Sequence, residues 1–240
     1  MKSMSSFGEK DIVRIIRGDH EYLQSILVRS VYNSAAIEGN SISIDETQVL
    51  LVDGFVPAFK RAVTTRELYE LTNLSSVWNY ILNHCTAELT ISVMHEVHQL
   101  TMFNIDDNSG RFKRTQNMVG GRLTTKPENV STEILYALDD LMNAKFIYSK
   151  TEEDIVEAVA WFHLTYEKIH PYEDGNGRTG RALVNYLLLQ NNLPPVVVKV
   201  EDRAEYYSYL RTDDYLGLAK YFMKSMEEEK AFLNRKGKVV

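Results

Sequence analysis

Ile155, Val159, Phe162, Tyr166 and Ile169 recur at intervals of four and three, and the run stops at His170-Pro171. That spacing sets five apolar side chains on one face of a helix. Pro171 disfavours helical backbone at the residue before it, so His170 stands at the helix exit. With only 5 Pro and 12 Gly in 240 residues, long stretches of good helix formers remain uninterrupted, and the chain reads as all-α. Periodic apolar residues predict further helices at about 9–37, 45–52, 64–84, 90–103, 131–145, 178–191, 202–211 and 215–232. The exception is TQNMVGGRLTT, where Gly120-Gly121 between Thr-bearing apolar flanks predicts a hairpin. PVVVKV, ending at 200, is β-branched and reads equally as strand or extended loop.

One domain over 1–240 suits this length, with a frayed tail expected at 226–240. The 27 Lys+Arg against 33 Asp+Glu give no broad basic field, which argues against nucleic acid or an anionic membrane as partner. Single Cys85 excludes an internal disulfide and a Cys-rich zinc site. No apolar run approaches the roughly 18 residues of a membrane span, and the N-terminus lacks a signal-peptide core. These features predict a cytoplasmic protein.

Residues 170–181 read HPYEDGNGRTGR. Gly175, Asn176 and Gly177 let the backbone turn tightly enough to present successive N–H groups, and the helix starting near Arg178 adds its positive end. The result is an anion cradle. Asp174 offers one carboxylate beside it, and Mg²⁺ takes one or two protein carboxylates with phosphate oxygens and water. Arg178 and Arg181, three apart, could neutralise outer phosphates. His170 has the side chain whose ordinary pKa suits a base near neutral pH.

This segment resembles the signature of the Fic family, HPFx[DE]GNGRxxR, with Tyr172 in place of Phe. The resemblance implies a helical Fic fold that transfers AMP from ATP to a Ser, Thr or Tyr hydroxyl of a target protein, self included. In that reading His170 is the base, Asp174 the ligand of Mg²⁺ or Mn²⁺, and Asn176 with the Gly175 and Gly177 amides stabilises the attacked phosphate. Arg178 and Arg181 hold the β- and γ-phosphates, and Thr179 and Gly180 fall within the ATP-binding stretch. GRFKRTQNMVGGRL at 110–123 resembles the family's flap, placing Val119, Gly120, Gly121 and Arg122 along the nucleotide. DRAEYYSYL at 202–210 resembles the adenosine-side element, with Tyr206 and Tyr207 as a nucleobase wall. Asp214 stands where relatives often carry Asn, which leaves base selectivity open. The core would span about 60–225, and homo-oligomers occur among related proteins.

SAAIEGN at 34–40 resembles the family's inhibitory pattern, [ST]xxxE[GN], on a helix at about 25–40. It implies that Glu38 reaches Arg181 and displaces the γ-phosphate, with Ser34 steadying the inhibitory helix. Independently, Gly39 and Asn40 stop helices, which leaves Glu38 in a last turn whose dipole disfavours negative charge by about 0.3–1 kcal/mol. A cationic partner would offset that. Removal of AMP using Glu38 is an alternative reaction, and a non-catalytic nucleotide-sensing regulator is an alternative class. Phosphate transfer is disfavoured by Gly177, where relatives proposed for it carry Lys. His95 and His98 in HEVH miss the HExxH zinc spacing by one residue, and with His163 they read as structural histidines.

Overall fold

The computed structural model describes residues 11–142 and 151–235. Ten helices run in chain order: α1 (Asp11–Gly18), α2 (His20–Ile37), α3 (Ile44–Gln48), α4 (Thr65–His84), α5 (Ile91–Thr101), α6 (Pro127–Asp139), α7 (Glu152–Ile169), α8 (Asn176–Gln190), α9 (Arg203–Thr212) and α10 (Tyr215–Arg235). One two-stranded antiparallel hairpin, β1 (Met118–Val119) with β2 (Arg122–Leu123), completes the architecture among the described residues. It pairs Met118 with Leu123 and Val119 with Arg122. Gly120 and Gly121 both take positive φ, 56° and 80°, as a two-residue hairpin turn requires.

Helix α8 is the centre of the molecule. Apart from Gly177, every residue from Asn176 to Leu189 is buried, because α7, α5, α4 and α2 all pack around it. Helix α7 lies between α8 and α10, and Gly180 permits close approach: a Cβ there would stand 2.6 Å from Glu167 Oε1 and 3.0 Å from the His163 and Tyr166 rings. The expected helix 9–37 is two helices, since Asp19 accepts a bond from Tyr22 N–H at 3.0 Å and caps a new start. Segment 45–52 is short α3 followed by one π-helical turn, Val49–Asp53. Helix α6 starts four residues earlier than expected, with Pro127 in its first turn, and the expected 143–145 lies outside the described residues.

The last helix runs further than the sequence suggests. Helix α10 continues to Arg235, with Met226, Glu229 and Leu233 buried, leaving only 236–240 outside the described residues. Glu229 is held by Tyr22 OH at 2.9 Å and Arg29 Nη2 at 2.9 Å, so the N-terminal half of α2 is anchored on α10. PVVVKV is an extended loop. Its backbone bonds go to side chains instead of a strand: Asn185 pairs with Val196 N–H and C=O, and Ser225 Oγ accepts from Val197 N–H. Among the described residues no helix is long and apolar enough to cross a membrane.

Candidate functional site

His170 caps α7 in the left-handed conformation, φ 50° and ψ 65°, and its N–H donates to Tyr166 C=O at 2.8 Å. That conformation costs a non-glycine residue roughly 1–2 kcal/mol, so the packing around the loop must hold it. The ring is mostly buried, and its Nδ1 has no hydrogen-bond partner among the described residues. Burial first, then the Lys113 ammonium, pushes its pKa down to about 4. The imidazole is therefore neutral at physiological pH, with a lone pair ready to accept a proton. Glu167 Oε2 stands 3.8 Å away, and burial lifts that carboxyl to about 8, opposed by Arg181 and assisted by Glu38.

The next turn builds the cradle. Gly175 takes φ 74° and lies so close to Met102 that a Cβ would stand 2.5 Å from its sulfur. Thr179 N–H makes the first bond of α8, to Gly175 C=O at 3.0 Å. The amides of Asn176, Gly177 and Arg178 are thus the orphan donors of the first turn, aimed at the loop mouth. Asn176 does something other than expected. Its Oδ1 accepts from Tyr172 N–H at 2.9 Å and its Nδ2 donates to Tyr172 C=O at 2.8 Å, so the buried side chain shapes the loop and its backbone amide serves the cradle.

Asp174 stands half-exposed on the lip of the cradle, with Arg66 at 2.5 Å and Arg178 at 3.5 Å. Burial works against its charge, but Arg66, the Gly175 amide and Arg178 together hold it below the ordinary carboxylate range. The two arginines of α8 part company. Arg178 is buried against Glu70, 2.8 Å away, and Asp174, so it underpins the Asp174 carboxylate instead of facing open space. Arg181 turns toward α2, where its Nη2 bonds Glu38 Oε1 at 2.8 Å and Ser34 C=O at 2.8 Å while Nε donates to Ser34 Oγ at 3.1 Å. Glu38 is the C-cap of α2, followed by Gly39 at φ 98°. A Cβ on Gly177 would fall onto Glu38 Oε1, so the carboxylate covers the first turn of α8. Thr179 and Gly180 are fully enclosed on the α7 side of α8 and do not face the cradle.

Alongside Glu167 and Lys168, in the last turn of α7, opens a cleft of about 460 Å³, lined also by Val119, Gly120, Arg122, Tyr207 and Asp213, a volume suited to a small-molecule ligand; none of residues 170–181 lines it. The hairpin forms one wall, and Arg122 Nη1 reaches across to Arg211 C=O at 2.9 Å. Gly121 occupies the exposed turn outside the lining set. Tyr206 is not part of the wall: it has no exposed surface, and its hydroxyl meets His163 Nε2 at 2.7 Å in the core. The i, i+1 step on α9 turns Tyr207 alone to the cleft. Asp214 caps α10 by accepting from Gly217 N–H at 2.8 Å, leaving Asp213 to line the pocket.

Residues 88–188 match the family described as Fic/DOC. They form a Fic domain. Protein adenylyltransferase fic-1 of Caenorhabditis elegans is 33% identical over 185 residues, covering 75% of this chain and 35% of that protein. Protein adenylyltransferase Fic of Nematostella vectensis is 30% identical over 183 residues, covering 75% of this chain and 42% of its own. The chain therefore spans between a third and a half of these curated relatives. A Fic-domain-containing signaling protein of Bacteroides thetaiotaomicron shares the fold, at a TM-score of 0.80 and 21% identity over 95% of this chain and 98% of that one. A structure of Fic-1 from C. elegans aligns at 0.73 and 27% identity, covering 93% and 71%.

Other residues shape the loop from elsewhere in the chain, His98 in the structural role expected of it and the rest with no sign in the sequence. His98 accepts from Gly110 N–H on Nδ1 at 2.8 Å, which leaves the proton on Nε2 to donate to Asp174 C=O at 3.0 Å. Its ring stacks on Tyr172 at 3.7 Å, and burial, partly offset by Asp174, lowers its pKa to about 4. Glu173 accepts from the Arg114 and Thr115 amides at 2.8 and 3.0 Å. Arg66, Glu70 and Lys113 likewise reach the loop from elsewhere in the chain.

Proposed function

We propose that this Fic domain is an autoinhibited protein adenylyltransferase, moving AMP from ATP to a hydroxyl of a protein, itself included. The observation that carries the reading is a neutral imidazole at the mouth of a helix-end anion cradle, with a ligand-sized cleft opening at Glu167 and Lys168 in the same final turn of α7. The hydroxyl oxygen bonds to the α-phosphorus, the bond to the β-phosphate bridging oxygen breaks, pyrophosphate leaves, and the hydroxyl proton passes to His170. The amides of residues 176–178 hold phosphate oxygens where charge builds, the main source of acceleration in such transfers. Tyr207, Val119, Gly120 and Arg122 border the nucleoside.

Magnesium suits Asp174. A half-exposed carboxylate beside phosphate-binding amides is what a nucleotide-borne Mg²⁺ uses, and among the described residues no cluster of three acids, histidines or cysteines offers a self-sufficient metal site. The ion would supply charge neutralisation on the triphosphate.

The inhibited state follows from Glu38. Its carboxylate stands over the amides and occupies Arg181, so it competes with phosphate for both. Ser34 acts on Arg181 directly, by its carbonyl and its hydroxyl. Intact-mass measurement with Mg-ATP tests the whole reading. Glu38→Gly should gain AMP about tenfold faster than the unaltered chain or more, and adding His170→Ala should stop it. A Glu38→Gly protein that neither binds Mg-ATP nor gains mass would end the proposal.

A further inference from the structure

Lys113 is a buried cation of unusual placement. Its side chain is 3% exposed, and among the described residues no carboxylate pairs with it within 4 Å. Instead Nζ donates to Asn117 Oδ1 at 2.8 Å, to Thr124 Oγ1 at 2.6 Å and to Ile169 C=O at 3.1 Å. Asn117 precedes β1 and Thr124 follows β2, so one ammonium grips both roots of the hairpin. Ile169 is the last residue of α7, and its carbonyl is one of the orphan acceptors at the negative end of that helix. The lysine's own N–H adds a bond to Pro171 C=O at 2.8 Å. His170 lies between these two carbonyls.

Burying a charge without a counter-ion is costly, and such groups persist where a function retains them. A neutral donor would suffice to fold a hairpin onto a loop. We propose that Lys113 is a positioning residue for the transfer reaction: it locks the flap wall of the cleft and the His170 backbone into one rigid unit and keeps positive charge beside the base. The inference rests on the adenylyltransferase reading for its consequence in rate, though its geometry stands apart from it.

Two effects follow. Geometrically, the three-way tie is the bond set that joins both hairpin roots to the end of α7, beside the bonds of Asn117 to Tyr172 and of Glu173 to the Arg114 and Thr115 amides, so loosening it misaligns hydroxyl, base and phosphate together. Electrostatically, the groups facing His170 are Lys113 from the flap root, Glu167 from α7, Glu38 from α2 and Asp174 from the loop. Lys113 alone among them favours the neutral imidazole. The lysine's own pKa falls to about 8 by burial, opposed by Glu173 and Glu133, so it is largely charged at neutral pH.

The test uses the Glu38→Gly chain as parent and compares Lys113→Met, Lys113→Arg and Thr124→Val. Transfer is read by AMP mass gain, nucleotide affinity by calorimetry with Mg-ATP, and the His170 ring by NMR titration without nucleotide. Lys113→Met should slow transfer about tenfold or more, change the Mg-ATP Kd less than about threefold, and raise the His170 midpoint by about half a unit or more. Lys113→Arg, which keeps the charge, should return the midpoint toward the parent. Thr124→Val retains the lysine, so its midpoint should stay put while the Thr124 amide exchanges faster, and it serves if Lys113→Met fails to fold. An unmoved midpoint in folded Lys113→Met, a loss of rate matched by an equal loss of Mg-ATP affinity, or unchanged exchange in Thr124→Val would overturn the proposal. If the parent itself shows no transfer, the function fails, while the titration and exchange still judge the tie.

Discussion

The loop that follows α7 is gripped from two sides in two different ways. On the α2 side, one carboxylate and one serine hold Arg181, all at the end of a helix that stops at Gly39. On the flap side, the loop's own carbonyls at Ile169, Pro171 and Tyr172 are bonded by Lys113 and Asn117, and Glu173 is bonded by two amides. The first grip is made by side chains on a surface-proximal tip and can open while the fold stays intact. The second defines the backbone path of the loop itself. On the proposed reading, a removable contact thus stands on the phosphate side of the loop and a permanent one on the side of the base.

Substitutions separate the two sides by size of effect. In the Glu38→Gly background, His170→Ala should lower AMP transfer by about 10²–10⁴, with retained Mg-ATP binding by calorimetry; equal rates would show that the flap-side grip positions nothing catalytic. Gly175→Ala forces a side chain into φ 74° against Met102 and should cost about 1–3 kcal/mol, seen as a lowered thermal midpoint. Ser34→Ala removes the hydroxyl from Arg181 but leaves the carbonyl, so transfer should rise only about threefold to fivefold, in keeping with one lost hydrogen bond. A rise as large as that of Glu38→Gly would make serine and glutamate equal partners. The two sides also share a pH effect. His98 and His170 titrate at about 4 when folded and near 6.5 unfolded, so between those values the unfolded chain binds more protons. Their contribution is present above about 6.5 and is lost as pH falls toward 4, which denaturant titrations at pH 7 and 5 will register.

What could be read in advance was whatever is written locally. Helix α7 carries its apolar period, its Thr151-Asp154 capping box and its stop at Pro171 within one stretch, and the hairpin announces itself in two adjacent glycines. Glu38 and Arg181 were joined by motif, and they meet. The misreadings share a cause. Asp19 caps α2 from inside a long apolar pattern that reads as one helix, and Pro127 opens α6 four residues ahead of the periodic stretch. Arg178, Asn176 and Tyr206 sit in the right segments, yet which way each points depends on neighbours contributed from elsewhere, Glu70 being 108 residues from Arg178. Arg66, His98 and Lys113 act only through such long-range partners, and no spacing in the chain encodes them.

The Glu229 anchor sets how Glu38 can leave. Lifting all of α2 away from α10 would strand a buried carboxylate without Tyr22 and Arg29, a loss of about 3–5 kcal/mol for a buried pair broken on one side. Melting the final turn ahead of Gly39 would also be costly, since it pulls Ala35 and Ile37 out of the core and disturbs the bonds of Asn40 to Glu67 and Glu70. On the autoinhibited reading proposed above, release therefore works like a latch at the tip, with the partly exposed Glu38 side chain swinging off Arg181 while the helix stays bolted to the body.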